Sequence, residues 1–465
     1  MFGATTAVTG SNGPGAVTRS RPHLLFVAFY FPPTRASGVY RSRAIANHFS
    51  ALGWDVTVIT CQRAFFQYYT LSYDPSLEAT VAPEVRVERV PFGGWQWETD
   101  VRRLGAARVL FPKTTTRLRR ALDSARFPDA YASWIPGVVR RARAVHAERP
   151  VDLVLATGNP WSSFGAAQDI AAATGAPYVL DYRDAWTMNQ YTETSTAHGG
   201  SRIMAAERRV LRGCALAVFV NEAQRAWHAE RHPEVADRTV VVENGWEPEI
   251  LGELPVRLPA PDQPLRLSYV GTMTTYMPLP EFFDGWRLAR QHPALSGATV
   301  ALHGHLGFFV SSGRMLRALL PLEEDIGVVY EGPLPKADIA AGYEAADVLL
   351  LILPGSRYVT SGKVYEYMAT GKPIVSVHDP ESSANEPLRD YPLWFPARDL
   401  TPEAIADALT AAGEAARTMT VQQVAQGRAH AARYTRTAQL APLAERLDTL
   451  AGVTPATVAG SGARP

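Results

Sequence analysis

Val348-Leu-Leu-Leu-Ile-Leu353-Pro-Gly-Ser-Arg-Tyr358-Val-Thr-Ser361-Gly-Lys363-Val-Tyr-Glu366-Tyr-Met-Ala-Thr-Gly371-Lys-Pro373-Ile-Val-Ser-Val377 holds the pattern that decides the fold of this 465-residue chain. The unbroken apolar run Val348 to Leu353 reads as a strand buried on both faces. A helix opens after Ser361, and a second short strand, Pro373 to Val377, follows Gly371. Strand, helix and strand in that order build a parallel sheet. Upstream, Leu265 to Val270, Thr299 to His303 and Gly327 to Tyr330 extend the series. A separate series lies nearer the N-terminus, with strands at Leu24 to Phe29, Asp55 to Thr60, Val151 to Ala156, Tyr178 to Asp181 and Ala215 to Val220. Helical spacing fills the gaps at Val39 to Leu52, which Gly53 can close as a cap, and around Ser163 to Thr174 and Ile203 to Arg212. Between the series, Pro255, Pro259, Pro261 and Pro264 mark a connector. The expected architecture is α/β, with two Rossmann-like doubly wound domains, 22–254 and 265–427, facing across a cleft. A C-terminal helix is expected over 428–450. The segments 1–21 and 451–465, rich in small residues, read as a disordered leader and tail.

Composition narrows the function classes. Lys plus Arg total 46 against 45 Asp plus Glu, so no overall field selects nucleic acid as a partner. Val101 to Pro150 is a local exception. Arg102, Arg103, Arg108, Lys113, Arg117, Arg119, Arg120, Arg126, Arg140, Arg141, Arg143 and Arg149 face only Asp123, Asp129 and Glu148 there. The default for such a stretch is a solvated helical surface; contact with anionic lipid or a lipid-diphosphate acceptor is the sharper alternative. Cys61 and Cys214 are the only cysteines and lack metal-ligand spacing, so a cytoplasmic protein without a disulfide framework is expected. Met1 to Ser20 has no apolar signal core, and the apolar runs fall short of the roughly 18 to 20 residues that span a bilayer.

In open parallel sheets, ligands bind outside the carboxyl ends of the strands, so the residues after each strand carry the search for a site. Lys363 and Glu366 are three apart on one helical face after Val348 to Leu353. A lysine ammonium suits a diphosphate, and a carboxylate suits two vicinal ribose hydroxyls; an ordinary salt-bridged helix face is the alternative. Gly271 and Thr272 follow the first strand of the second series, where a glycine allows backbone N–H groups close to an anion. Pro32 to Gly38, leading into Arg41, occupies the matching place in the first series. Arg183-Asp184 follows another strand and reads either as an acceptor or catalytic pair or as an ion pair closing the first domain. His303-Gly304-His305 lacks a third metal ligand, and no metal is expected.

Phe29-Tyr-Phe-Pro-Pro33 through Gly38, Gly53-Trp-Asp-Val-Thr-Val-Ile-Thr60, Asp181-Tyr-Arg183-Asp184-Ala-Trp186, Asn244-Gly245 and Val364-Tyr-Glu366-Tyr-Met-Ala-Thr-Gly371-Lys-Pro373 occur in this order. In order and spacing they resemble glycosyltransferase family 4, the GT-B retaining glycosyltransferases, over roughly residues 23 to 450. The resemblance implies transfer of a sugar from a nucleotide-sugar donor with retention of anomeric configuration, with no cofactor and no metal. The family usually carries two glutamates eight positions apart; Glu366 matches the ribose-binding one, and Tyr358 stands where the first would be. A family Arg and Lys-Gly after the Gly271 position are also absent, which moves the phosphate charge to Lys363, Arg41 or Arg183. Donor binding is accordingly expected of Gly38, Arg41, Asn244, Gly271, Thr272, Lys363 and Glu366. Acceptor binding is expected of Asn159, Arg183 and Asp184, and catalysis of Asp184, Lys363 and Glu366. Two other classes compete: a nucleotide-sugar epimerase, and a non-catalytic nucleotide-sugar binder suggested by Tyr358. Cell-surface glycan or glycosylated-metabolite synthesis is the expected setting, with peripheral contact to the inner face of the membrane through 101–150.

Overall fold

The computed structural model describes residues 21–36, 38–70, 73–93, 105–190, 193–195, 201–252, 254–307, 310–320, 326–335 and 338–453. The leader to residue 20, Arg102 and Arg103, and the tail from residue 454 lie outside the described residues, as do the side chains of 119–120 and 122–125.

Two parallel sheets form the molecule. The first holds β1 (His23–Val27), β2 (Asp55–Cys61), β3 (Arg86–Val90), β4 (Leu153–Gly158), β5 (Tyr178–Tyr182), β6 (Leu216–Phe219) and β7 (Thr239–Val241), in the order β3-β2-β1-β4-β5-β6-β7. The second holds β8 (Arg266–Val270), β9 (Thr299–His303), β10 (Val328–Gly332), β11 (Val348–Ile352), β12 (Ile374–Val377) and β13 (Trp394–Pro396), in the order β10-β9-β8-β11-β12-β13. Strand order reverses between β1 and β4 and again between β8 and β11. Each reversal opens a crevice at the carboxyl edge, where loops diverge to opposite faces.

Alternation explains why the central strands read as continuous apolar runs. Leu24 and Phe26 of β1 enter one core, while Leu25 and Val27 enter the core on the opposite face. In β11, Val348, Leu350 and Ile352 face one way and Leu349 and Leu351 the other. Burial on both faces leaves no room for polar residues, so no period of two survives in the sequence.

The chain then crosses back. A single helix over 428–450 was the expectation, and the structure corrects it to two. The helix Val421–Ala432 packs on the second domain through Val424 and Ala431, whereas Arg436–Leu450 packs on the first through Leu440, Leu443 and Leu447. Arg433 to Thr435 break them, and the Thr435 hydroxyl caps the second helix by accepting from Ala438 N at 3.2 Å. Trp54 Nε1 donates to Asp448 Oδ1 at 3.1 Å, which fixes the far end of the returning helix to the first domain. Two strands of chain therefore join the domains side by side. Trp246 N donates to Tyr434 O and Arg436 N donates to Trp246 O. At Gly245 the fit is too tight for a side chain, since a Cβ would lie 2.6 Å from the Tyr434 carbonyl oxygen.

Candidate active site

The carboxyl edges of the two sheets meet at the reversal points. From the first domain come the loop after β1, the turn Gly158-Asn159-Pro160 after β4, Arg183 to Gln190 after β5, Asn221 after β6 and Glu243-Asn244 after β7. The second domain contributes Gly271-Thr272 after β8 and the stretch from Leu353 into α-helix Gly362–Thr370 after β11. Hydrogen bonds span the gap. Asn244 Nδ2 donates to Thr360 O and Asn221 Nδ2 to Thr360 Oγ1, both at 3.3 Å, and Tyr365 OH donates to Glu243 Oε2 at 3.3 Å.

The helix Gly362–Thr370 is built to aim its first turn at the cleft. Ser361 caps it by accepting from Lys363 N, and Gly371 ends it in the left-handed conformation with φ 74°. The buried face, Val364, Tyr367 and Met368, packs on the domain core, which leaves Lys363 and Glu366 together on the cleft side. Unsatisfied N–H groups and the helix dipole add positive character at the same end.

Lys363 and Gly271 are in direct contact. A Cβ on Gly271 would lie 1.7 Å from Lys363 Cε and 2.3 Å from Nζ, so the missing side chain is the space the lysine uses. Behind this pair, Gly271 N donates to His303 O at 2.7 Å, and Gly304, at φ 142°, packs against the Gly271 carbonyl. Thr272 stands beside them, its carbonyl accepting from Tyr269 OH at 3.0 Å. Glu366 receives a 2.5 Å hydrogen bond from the fully buried Tyr343, which fixes the carboxylate from below. Across the cleft, burial raises the pKa of Tyr40, and the Glu366 carboxylate raises it further.

On the first domain, Gly38 does for Arg183 what Gly271 does for Lys363. A Cβ there would lie 0.9 Å from Arg183 Nη1, so the guanidinium lies directly on the glycine. Arg183 Nη2 pairs with Asp184 Oδ2 at 3.2 Å, and both side chains keep some solvent access, 18% and 31%. The pair is therefore only partly buried, unlike an ion pair sealed inside a domain. Closing the domain falls to Arg41, whose side chain is 4% exposed. Its Nη2 donates to Asp181 Oδ1 at 2.8 Å and its Nη1 to Val242 O at 2.9 Å, while Thr157 Oγ1 donates to Asp181 Oδ2. The expectation that Arg41 supplies phosphate charge is corrected on that ground, because all its nitrogens are held inside the first domain. Asn159 is exposed in the turn after β4.

Sequence reasoning missed Tyr343, Asn221, Thr360 and Gln190. Asn221 carries a visible signal, that of a helix cap, and does accept from Gln224 N at 2.8 Å. Its second role, through Nδ2 to the facing domain, has no local signature. Tyr343 and Gln190 have none either. His303 lies 3.6 Å from Glu331, and burial lowers its pKa. Among the described residues no group of three His, Cys, Asp or Glu could hold a metal.

Residues 38–245 match the profile of the glycosyl transferase 4-like domain. No curated protein matches the chain in sequence. Among solved structures, a sucrose-phosphate synthase from Thermosynechococcus elongatus is similar at TM-score 0.62 and 17% identity, over 93% of this chain and 100% of that one. An α,α-trehalose-phosphate synthase (UDP-forming) from Burkholderia vietnamiensis reaches 0.61 at 14% identity, over 94% and 100%. HepE from Anabaena, in complex with UDP-glucose, reaches 0.59 at 14% identity, over 92% and 99%. These likenesses establish the two-domain GT-B architecture.

Proposed function

With residues 38–245 forming a glycosyl transferase 4-like domain on a GT-B fold, we propose that the chain transfers a sugar from a nucleoside-diphosphate sugar to an acceptor bound by the first domain. The observation that carries this reading is Lys363 lying on Gly271, with Glu366 one turn further on the same cleft-facing side. The lysine and the helix start neutralise the diphosphate, and Glu366, held by Tyr343, accepts from the ribose hydroxyls. Departure of the nucleotide gives the sugar oxocarbenium character, and fixed donors around the leaving phosphate stabilise its growing charge. Retention of configuration belongs to the same proposal, with a phosphate oxygen taking the acceptor proton on the departing face and Asp184, paired with Arg183, orienting the acceptor.

A thermal-shift screen against UDP, GDP, dTDP and their sugars tests the reading, because a ligand that binds only the native state raises the unfolding midpoint. Since HepE was solved with UDP-glucose, UDP is the first nucleotide to try. One nucleotide diphosphate should raise the midpoint in wild type, with the shift lost in Glu366→Ala. Absence of any shift across the panel would sink the proposal.

A lipid-linked acceptor at the cytoplasmic face of a membrane is favoured by one exposed segment. Val109 and Leu110 at the end of helix Ala106–Leu110, and Phe111 just before helix Pro112–Ala125, are 57%, 69% and 60% exposed, with Leu118 at 54% and Lys113 and Arg117 alongside. Apolar tips ringed by lysine and arginine suit an anionic bilayer. Further along the basic stretch some of the charge is matched by the first sheet, Arg141 forking onto Glu88 and Arg149 pairing with Asp55. The excursion is rooted at the cleft wall, where Phe92 stacks on Tyr131 and the Tyr131 and Tyr30 hydroxyls lie 2.9 Å apart. Cosedimentation with phosphatidylglycerol vesicles, lost in Leu110→Asp/Phe111→Asp and absent with phosphatidylcholine, is the expected outcome.

A further inference from the structure

Past β5 the chain makes a small antiparallel ribbon, Met188–Asn189 with Thr194–Ser195, that no part of the donor-site reading uses. Its base belongs to the first domain. Thr187 Oγ1 donates to the buried Glu207 at 2.5 Å, and Ser195 Oγ donates to Thr187 O. Its outer end belongs to the second. Ser356 Oγ donates to Gln190 O at 2.5 Å, and Arg357 forks onto Glu193, Nε to Oε1 at 3.2 Å and Nη2 to Oε2 at 2.5 Å. Ser356 and Arg357 lie in the stretch that leads from β11 to the Lys363 helix, so the ribbon is held by the donor side of the cleft.

Gln190 joins this clamp to the acceptor side. Its Nε2 lies 3.4 Å from Asp184 Oδ1, while Asp184 Oδ2 takes Arg183, which in turn lies on Gly38. Gln190 Oε1 is buried with no hydrogen-bond partner among the described residues. Of the two ends of the amide, only the nitrogen reaches a partner among the described residues, and that partner is Asp184. The amide is thus held at its backbone by one domain and touches, through its side chain, a carboxylate of the other.

We infer that Gln190 is a positioning residue through which closure of the two domains sets the orientation of the Asp184 carboxylate. When Ser356 and Arg357 engage the ribbon, Gln190 is drawn against Asp184. When the domains part, the Gln190 backbone loses its anchor and Asp184 is held by Arg183 alone. The acceptor carboxylate is then ordered only in the state that has also brought Lys363 and Glu366 opposite it. This rests on the proposed role of Asp184, but the coupling itself can be read without turnover.

Hydrogen–deuterium exchange of the full chain provides that reading. Arg357 and Glu193 are 47% and 34% exposed, and a pair at such a site shifts a closure equilibrium by roughly two- to fivefold. Arg357→Glu should therefore speed exchange over residues 183–190 by about that factor, and the exchanged pair Glu193→Arg/Arg357→Glu should restore it. Exchange over 183–190 that is indifferent to Arg357→Glu, or faster exchange that the charge swap does not reverse, overturns the inference. With whichever nucleotide sugar the screen identifies, Gln190→Ala should lower kcat about tenfold and leave donor KM unchanged. A matched rise in donor KM would place Gln190 on the donor and equally overturn it. Failure of wild type to turn over any nucleotide sugar counts against the transferase reading, and leaves the exchange result standing.

Discussion

Gly304 packs on the Gly271 carbonyl, yet alanine should do different things at each of the two glycines. At Gly271 the added methyl meets Lys363 Cε and Nζ, the far end of a flexible side chain. The lysine can swing aside, so the fold should tolerate the change while the diphosphate loses its cation. Gly271→Ala is expected to weaken nucleotide-diphosphate binding about tenfold, roughly 1.4 kcal/mol, with an unfolding midpoint within about 2 °C of wild type. At Gly304 the methyl would lie 1.8 Å from a backbone oxygen, on a residue whose φ of 142° already excludes side chains. Gly304→Ala should therefore cost about 2 to 4 kcal/mol of stability. Calorimetric titration of both variants, beside Lys363→Ala, checks the contrast. Unchanged nucleotide affinity in Gly271→Ala and Lys363→Ala together would remove the lysine from the phosphate site.

At the scale of elements, legibility followed burial. The strands at the centre of each sheet were readable because both faces are packed and the sequence has no choice but a run of aliphatic residues, as in Val348 to Leu353. Arg86–Val90, Thr239–Val241 and Trp394–Pro396 went unread, and all three are edge strands with little full burial. An edge strand needs only one covered face, so Arg86, Glu88 and Arg89 can stand among the valines and break up the apolar run. The same logic divides the site. Lys363, Glu366 and Gly271 were legible because one helix and one turn impose their spacing. Tyr343 under Glu366, and Arg183 over Gly38, join residues of different elements that meet only in the fold. Arg41 was misread for a related reason: its partner Asp181 lies 140 positions away, and nothing near Arg41 shows that its charge is already used.

At the scale of the whole molecule, the returning helix Arg436–Leu450 makes the first domain depend on chain that has already passed through the second. Arg436 is central to this dependence, since its Nε donates to Glu247 at 3.0 Å and Arg43 pairs with the same carboxylate. Domains tied in this way should lose structure together, so protons taken up anywhere in the molecule bear on one transition. His23 and His232 are buried in the first domain, His303 and His378 in the second, and burial is the leading cause that lowers the pKa of each. The sign follows from that direction. A histidine whose folded pKa lies below its unfolded value of about 6.5 is neutral in the fold where the unfolded chain is already binding a proton. Below that pH the unfolded state binds more protons, so stability falls as pH falls. Stability contributed by these four groups should be complete above about pH 7 and decline progressively from about 6.5 downward. The unfolding midpoint is expected to drop by several degrees, roughly 3 to 8 °C, between pH 7 and 5.5. Calorimetry in two buffers of different ionisation enthalpy would show net proton uptake on unfolding at pH 6. A midpoint that holds or rises over this range would mean that the buried histidines are protonated in the fold, which their surroundings oppose. Replacing His378, whose Nε2 has no hydrogen-bond partner among the described residues, by the similarly shaped but uncharged glutamine should flatten part of the decline.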